Sequence, residues 1–344
     1  MSQPTAISQG PTDRNGRIAR FLRDYYIYFV FVAVIAVLSV ANLDQFTLFE
    51  RGNFLNKYNI INILRVSAPL ITLAGAFTLL MVSGYIDLSV GSAMSLSAVV
   101  YALLAINGVP FLPAFVATVA VGVVLGTING FLVVRLKITP VIATLITLSL
   151  YKGIALLLVQ DGVSAIKSGG GLKMPAWFND YGREGVLLSL PMAFWVAILV
   201  TLVLIIVQKR TLIGKYAAAT GGNPTAAKLS GIKTGKIVWV LYGIVGVTAA
   251  LAGIARSSFM SLGDPLSGDG MELTVILVVL LGGTAFSGGE GRVSKSFVAA
   301  LIIMSLTVGM LTLVPAYYQT LVIGSALLLA AASNHIVSKK GKSS

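Results

Sequence analysis

Hydrophobic residues fall along this chain in ten long blocks with short polar gaps: 26–43, 60–82, 86–106, 112–134, 138–159, 187–207, 237–256, 271–287, 297–313 and 316–334. About 20 apolar residues let a helix cross the hydrocarbon core of a bilayer, so each block predicts a spanning helix. The second and third blocks run together, broken only by Ser83-Gly84-Tyr85-Ile86-Asp87, and the last two are parted by a tight turn at Pro315. The expected fold is an all-α, polytopic membrane protein of about ten transmembrane helices with both termini cytoplasmic. Residues 1–25 form an N-terminal tail whose first dozen residues are polar and expected to be disordered. Residues 26–334 form the membrane domain and 335–344 a second tail. Two soluble stretches interrupt the membrane domain: an external loop at 160–186, rich in Gly, Ser and charge, and an internal loop at 208–236.

Composition agrees with lipid as the solvent. Of 344 residues, 56% are hydrophobic and 11% charged, against about 25% charged in soluble domains. A net charge of +13 would suggest nucleic-acid binding in a soluble chain. Here the basic residues lie in the gaps between apolar blocks, which excludes that reading. With the N-terminus inside and the blocks alternating, seventeen Lys and Arg fall on the cytoplasmic side and five outside, while Arg65, Lys152 and Arg256 lie in or at the edges of spans. Most acids outside the spans, including Asp264 and Asp269, fall on the outer side. This is the positive-inside bias, and removing one span would reverse every later loop and degrade it. Arg14, Arg17, Arg20 and Arg23 before the first block resemble the start of a signal peptide, but the block is long and no small-residue cleavage site follows. It is read as a retained first span.

Enzymatic chemistry is poorly stocked. The chain has no cysteine, and its one histidine, His335, ends the last apolar block, where an interfacial role is the plainer reading. No phosphate-binding G-x-x-x-x-G-K-[ST] motif occurs, and the Gly-rich stretch 282–291 lacks a strand–loop–helix setting. If ATP drives this protein, a partner subunit binds and hydrolyses it; no cofactor or metal is expected in the chain itself.

The internal loop carries a local signal. Asn223-Pro224 is a good helix start, with Pro at the first position, Thr225 to Leu229 suffice for one or two turns, and Gly231 suits a left-handed cap. A short basic helix across the cytoplasmic face could press into a groove on another protein; on composition alone a plain solvated connector is the simpler reading. Within the apolar blocks, Asp87 is an expensive charge that normally faces a cavity or another protein group. It is either on the solute path or a cap for a helix starting at Leu88, and the cap is preferred. Glu272 opens the eighth block near the outer face, where an acid favours the helix dipole. Asn129, Thr144, Thr147 and Ser149 suit a path for an uncharged polar solute, but for any single one an ordinary interhelical hydrogen bond is the plainer reading. Gly243, Gly246 and Gly253 read as packing sites on one span.

Four ordered stretches carry a resemblance. Gly221-Gly222-Asn223-Pro224-Thr225-Ala226-Ala227-Lys228-Leu229-Ser230-Gly231-Ile232 is similar to the coupling-loop motif of ribose-type ABC sugar permeases, in the branched-chain amino acid/ribose permease superfamily. Ser83 to Ser92, Gly126 to Gly130 followed by Lys137 to Leu145, and Gly270 to Thr284 followed by Gly288 to Val293 resemble that family's other blocks, in order over roughly residues 60–310. The family has Gly where Tyr85 stands and small residues where Ser294-Lys295 stand. The resemblance implies a permease subunit of a bacterial plasma (inner) membrane ABC importer, without its own ATPase site. Its implied partners are an ABC ATPase subunit, a secreted or periplasmic solute-binding protein, a second permease copy or paralogue, membrane lipid and a sugar-like solute. It implies ATPase coupling through Gly221, Gly222, Asn223, Pro224, Ala226, Ala227, Lys228, Leu229 and Gly231. Asp87, Ser89, Asn129, Thr144, Thr147 and Glu272 are the candidates for the solute path or for structural polar roles. The cargo is a monosaccharide or related polyol, with a nucleoside, a branched-chain amino acid or another small polar solute as alternatives. An ion-coupled secondary transporter would need paired buried ionisable groups and inverted repeats. An intramembrane enzyme would need a nucleophile with its base, or metal ligands.

Overall fold

The computed structural model describes residues 14–41, 54–160, 174–183, 185–311 and 324–325. The helices are α1 (Arg14–Ala41), α2 (Lys57–Val82), α3 (Val90–Ile106), α4 (Phe111–Val134), α5 (Pro140–Gln160), α6 (Ala176–Arg183), α7 (Met192–Arg210), α8 (Leu212–Gly222), α9 (Pro224–Leu229), α10 (Thr234–Met260), α11 (Met271–Leu281) and α12 (Val293–Leu311). A two-stranded hairpin, β1 (Gly185–Leu187) and β2 (Leu190–Pro191), precedes α7. Among the described residues, six helices (α2, α4, α5, α7, α10 and α12) are long and apolar enough to cross a membrane. Most of the tenth apolar block, 316–334, lies outside the described residues, as do 161–173 of the external loop and the tail 335–344.

The core is built around α2 and α10. Every residue of α2 from Ser67 to Val82 is buried, and α10 packs on α2, α3 and α4. By contrast, α4, α5 and α7 are buried over only 28% of their apolar stretches and keep a wide hydrophobic face outward. An outward apolar face is stable only against lipid or another protein. The helices α4 and α10 cross closely: a Cβ on Gly122 would lie 2.4 Å from the Gly246 carbonyl oxygen, and one on Gly126 would lie 2.2 Å from that of Tyr242. In a membrane, where apolar burial does not drive helices together, such small-residue crossings provide the packing.

Long-range contacts sort the loops into two ends. At one end the Gly289 N–H donates to the Val82 carbonyl (2.7 Å). Gln208 there spans the last turn of α7 and the start of α12, donating to the Gly291 carbonyl and accepting from the Val293 N–H, both at 3.0 Å. At the other end the Gly182 N–H donates to Ser258 Oγ (2.7 Å), Arg183 Nε to the Phe259 carbonyl (2.7 Å) and Arg65 to the Arg183 carbonyl (2.8 Å). Tyr101 stacks on Phe178 at 5.0 Å, and Trp177 meets Phe111 edge-on at 5.8 Å. Residues 82–84, 208, 221 and 288–293 thus gather at one end, and α6 with residues 65, 101, 111 and 258–259 at the other. Lys295, one of the departures from the family pattern, lies at the first end with Nζ 5.5 Å over the Tyr26 ring, a cation–π contact that ties α12 to α1.

Three expectations need correction. The sixth block was expected to span from 187, but 185–191 is a hairpin with Leu188 and Ser189 at φ 55° and 63°, and the helix starts only after Pro191. Positive φ at both central residues suits a two-residue turn, and Pro191 lacks the N–H a helix interior needs. The third block was expected from 86, yet α3 starts at Val90. The eighth, expected over 271–287, is the 11-residue α11, about 16 Å long and half a bilayer core. Gly282 and Gly283, the latter at φ 81°, stop it.

Candidate functional site

The internal elbow comprises α8, α9 and the start of α10. Asn223 stands between α8 and α9 in an extended conformation, and its side-chain oxygen accepts from the Ala226 N–H at 2.9 Å. Pro224 takes the first helical position, where a missing N–H costs nothing. At the other end Gly231, at φ 81°, donates to the Lys228 carbonyl (3.0 Å) and Ile232 to the Ala227 carbonyl (3.1 Å). These two bonds make a Schellman cap. A six-residue helix is too short to persist by propensity alone; here both ends are capped, and Ala227 is buried as its anchor. Pro224, Thr225, Ala226, Lys228 and Leu229 are exposed, Leu229 to 85%. The outer face of α9 is thus a leucine beside a lysine, both turned to the surface.

Behind this elbow three separate sequence stretches converge. A Cβ on Gly221 would lie 2.0 Å from the Val82 carbonyl oxygen and 2.6 Å from the Gly289 nitrogen; one on Gly288 would lie 2.9 Å from Gly84 Cα and 3.1 Å from Gly221 Cα. Gly84, Gly288 and Gly289 all have φ near 85°, which only glycine adopts at little cost. The end of α8 is therefore locked, backbone on backbone, to the break between α2 and α3 and to the turn after α11. Gly84 and Gly288 stood in the sequence blocks that carry the resemblance, but nothing in the sequence joined them to Gly221.

The break between α2 and α3 holds a buried polar network. Asp87 Oδ1 accepts from the Ser89 N–H (2.8 Å) and from Ser89 Oγ (2.6 Å). Asn129 Nδ2, on α4, donates to Asp87 Oδ2 (3.0 Å) and to Ser89 Oγ (2.7 Å). Tyr151 of α5 donates to the Leu125 carbonyl (2.9 Å), with its hydroxyl 3.5 Å from Asn129 Oδ1, and Tyr242 of α10 donates to the Ile86 carbonyl (2.9 Å). Asp87, Ser89 and Asn129 are each at most 2% exposed. Asn129 lies near the end of α4 and Tyr242 in the third turn of α10, so residues 86–89 turn back one to two turns inside the bundle. Irregular backbone at membrane depth survives only where protein satisfies it, and these hydrogen bonds do so. Asp87 acts through a local turn two residues ahead of Ser89, with the helix beginning at Val90 rather than at Leu88.

The remaining candidates divide. Thr144 and Thr147 are buried on α5 and donate to carbonyls of their own helix, Thr144 to Pro140 at 2.8 Å and Thr147 to Thr144 at 3.2 Å. They share the face of α5 that carries Tyr151. Glu272 stands apart from the network. A Cβ on Gly91 would meet the Gly268 carbonyl oxygen at 2.3 Å and Glu272 Oε2 at 2.6 Å, and the Gly268 N–H donates to Ser95 Oγ at 2.8 Å. The chain after α10 thus dips back to the first turns of α3, and α11 starts inside the bundle rather than at its outer rim. Beside that start lies the pair that sequence reasoning left apart, Lys152 Nζ and Asp269 Oδ2 at 2.7 Å, with side chains 35% and 48% exposed. A charge at mid-bilayer costs about 2.5–3.5 kcal/mol on insertion scales, so this exposed pair marks a place with an unusual surrounding. Among the described residues no cluster of His, Asp or Glu could hold a metal ion.

Comparison with known proteins gives one family. The family model described as "Branched-chain amino acid transport system / permease component" matches residues 59–331. The ribose import permease protein RbsC of Escherichia coli (strain K12) is 34% identical over 281 residues, 81% of this chain and 86% of that protein. The D-allose transport system permease protein AlsC of the same strain is 35% identical over 289 residues, covering 83% and 86%. The fructose import permease protein FruF of Bifidobacterium longum (strain NCC 2705) is 31% identical over 271 residues, covering 77% and 75%. No solved structure matches the chain.

Proposed function

The chain belongs to the branched-chain amino acid transport system / permease component family, and from that premise we propose that it is the membrane-spanning subunit of a bacterial ABC importer carrying a monosaccharide or related polyol. The relatives that match over most of both chains are permease proteins for ribose, allose and fructose, which supports the cargo class. The end bearing α9 faces the cytosol, where most of the basic residues fall. Both termini lie on that side, and the chain crosses the membrane about ten times.

The observation that carries the mechanism is the elbow. Both ends of α9 are capped, its outer face is exposed, and α8 is locked by Gly221 to the α2–α3 break. A partner ATPase grips α9. Displacement of α9 moves α8, and α8 pushes on Val82, Gly84 and Gly288, one turn of chain from the Asp87–Asn129 network. Opening that network swings α3 against α4 and switches access to a solute path from one side of the membrane to the other. A solute-binding protein delivers cargo at the opposite end, where α6 is pinned to α2 and α10 by Arg65 and Arg183. A second copy or a paralogue covers part of the outward apolar faces, and lipid covers the rest. Asp87, Ser89 and Asn129 serve as the hinge rather than as the cargo's contacts, because they are sealed from solvent.

The test is uptake by membrane vesicles holding the complete importer, the chain assembled with its ATPase and solute-binding partners. ATP-dependent accumulation of ribose, allose or fructose is expected. Accumulation of leucine or uridine alone would move the cargo to another class. Uptake driven by an ion gradient without ATP would overturn the importer. In the same vesicles, replacing Ala226 and Gly231 with bulky charged residues should leave the protein inserted and abolish transport while ATP hydrolysis continues.

A further inference from the structure

We propose that Lys152 and Asp269 line the water-filled solute path and hydrogen-bond the hydroxyl groups of the passing cargo; this rests on the importer reading above. Lys152 is the thirteenth of the 21 residues of α5, about 18 Å from its first residue and 12 Å from its last. A lysine near a helix end can reach the interface with its long stem, but Lys152 spends its ammonium on Asp269 at 2.7 Å. The aspartate is too short to reach an interface at all. Both side chains nevertheless keep a third to a half of their surface open. An open ion pair at this depth fits hydrocarbon poorly, because ions lose hydration there that their mutual attraction does not return. It fits water well.

The neighbours extend the polar surface. Ser149 is exposed one turn before Lys152 on the same side of α5, and Asp269 and Gly270 are exposed at the start of α11. Glu272 lies in electrostatic reach of both charges. The α11 half-helix begins inside the bundle, the arrangement that places binding sites at mid-membrane in many transporters. The chemistry suits an uncharged polyhydroxy solute. A carboxylate accepts from hydroxyl groups and an ammonium donates to them, both as charge-assisted bonds. Asp87, Ser89 and Asn129 offer no such open face.

The chain has no native cysteine, so single-cysteine variants need no prior engineering. Asp269→Cys and Ser149→Cys would be placed in the complete importer in vesicles and treated with a charged, membrane-impermeant thiosulfonate, with and without the transported monosaccharide. Labelling of both is expected, slowed at least several-fold by the cargo. Asp269→Asn is expected to lower uptake about tenfold with insertion unchanged, and the double exchange Lys152→Asp with Asp269→Lys to recover much of it. Labelling only by a lipid-soluble maleimide would place the pair against lipid and overturn the proposal. A spontaneous disulfide between two copies through the cysteine at position 269 would place it in a subunit contact and also overturn it, as would labelling that no transported cargo slows. Failure of the unmodified importer to take up any monosaccharide would instead sink the cargo reading, and that result is read before any variant is made.

Discussion

Gly221 approaches Val82 so closely that one added methyl group would sit 2.0 Å from the Val82 carbonyl oxygen. The contact joins the helix leading to the exposed elbow with the end of α2, which is buried throughout from Ser67 to Val82. Neither partner can give way cheaply: the neighbour is backbone, and the Val82 carbonyl already accepts the Gly289 N–H at 2.7 Å.

Gly221→Ala should therefore cost about 1–3 kcal/mol as an overpacked contact or push α8 away from α2. In the first case thermal unfolding in detergent shifts downward. In the second the melt is unchanged but more ATP is hydrolysed per solute moved. Wild-type behaviour in both assays would mean that the close approach carries neither stability nor coupling.

Removing the cap of α9 tests whether this short helix depends on it. Asn223→Ala loses the bond to the Ala226 N–H and should cost about 1 kcal/mol. Hydrogen exchange is the readout: amides 226–229 should exchange several-fold faster while those of α10 stay protected. Asn223→Asp, which keeps an acceptor, should behave like wild type.

In the buried network the two partners should not be equivalent. Asn129→Leu removes the donor to Asp87 Oδ2 and leaves a sealed carboxyl group short of partners; breaking a buried polar pair from one side costs about 3–5 kcal/mol when the survivor is charged. Asp87→Asn keeps an oxygen for the Ser89 N–H and should be milder. Comparing the two melting temperatures decides the matter, and the reverse order would mean that the carboxylate itself, not its satisfaction, holds the break.

The α4–α10 crossing predicts a plain packing defect. Gly126→Leu places a side chain where a Cβ alone would be 2.2 Å from the Tyr242 carbonyl, so the helices must separate. Folded yield and melting temperature should both fall sharply. Gly243 lies at the same crossing, its Cα 3.1 Å from a Cβ placed on Gly126, but its own Cβ position faces open space, so it should accept alanine with little change.

What the sequence determined by itself was set by local physics. Apolar length located α2, α4, α5, α10 and α12 to within a few residues, because burying backbone in lipid demands a helix and a helix of that length demands apolar side chains; α1, by contrast, starts at Arg14, well ahead of its block. Asn-Pro at 223–224 and Gly231 marked a six-residue helix, since capping is decided by the few residues that perform it. Tertiary structure alone decided the rest. Hydropathy treats Gly282-Gly283 as a neutral part of an apolar run, so block 271–287 read as a full span, when a positive φ at Gly283 and the return of 261–270 into the bundle leave half of one. The meeting of Gly84, Gly221 and Gly288 and the pairing of Lys152 with Asp269 join residues far apart in the chain. No periodicity or spacing encodes such contacts; they exist only once helices pack at backbone distance and a broken helix brings its end inside.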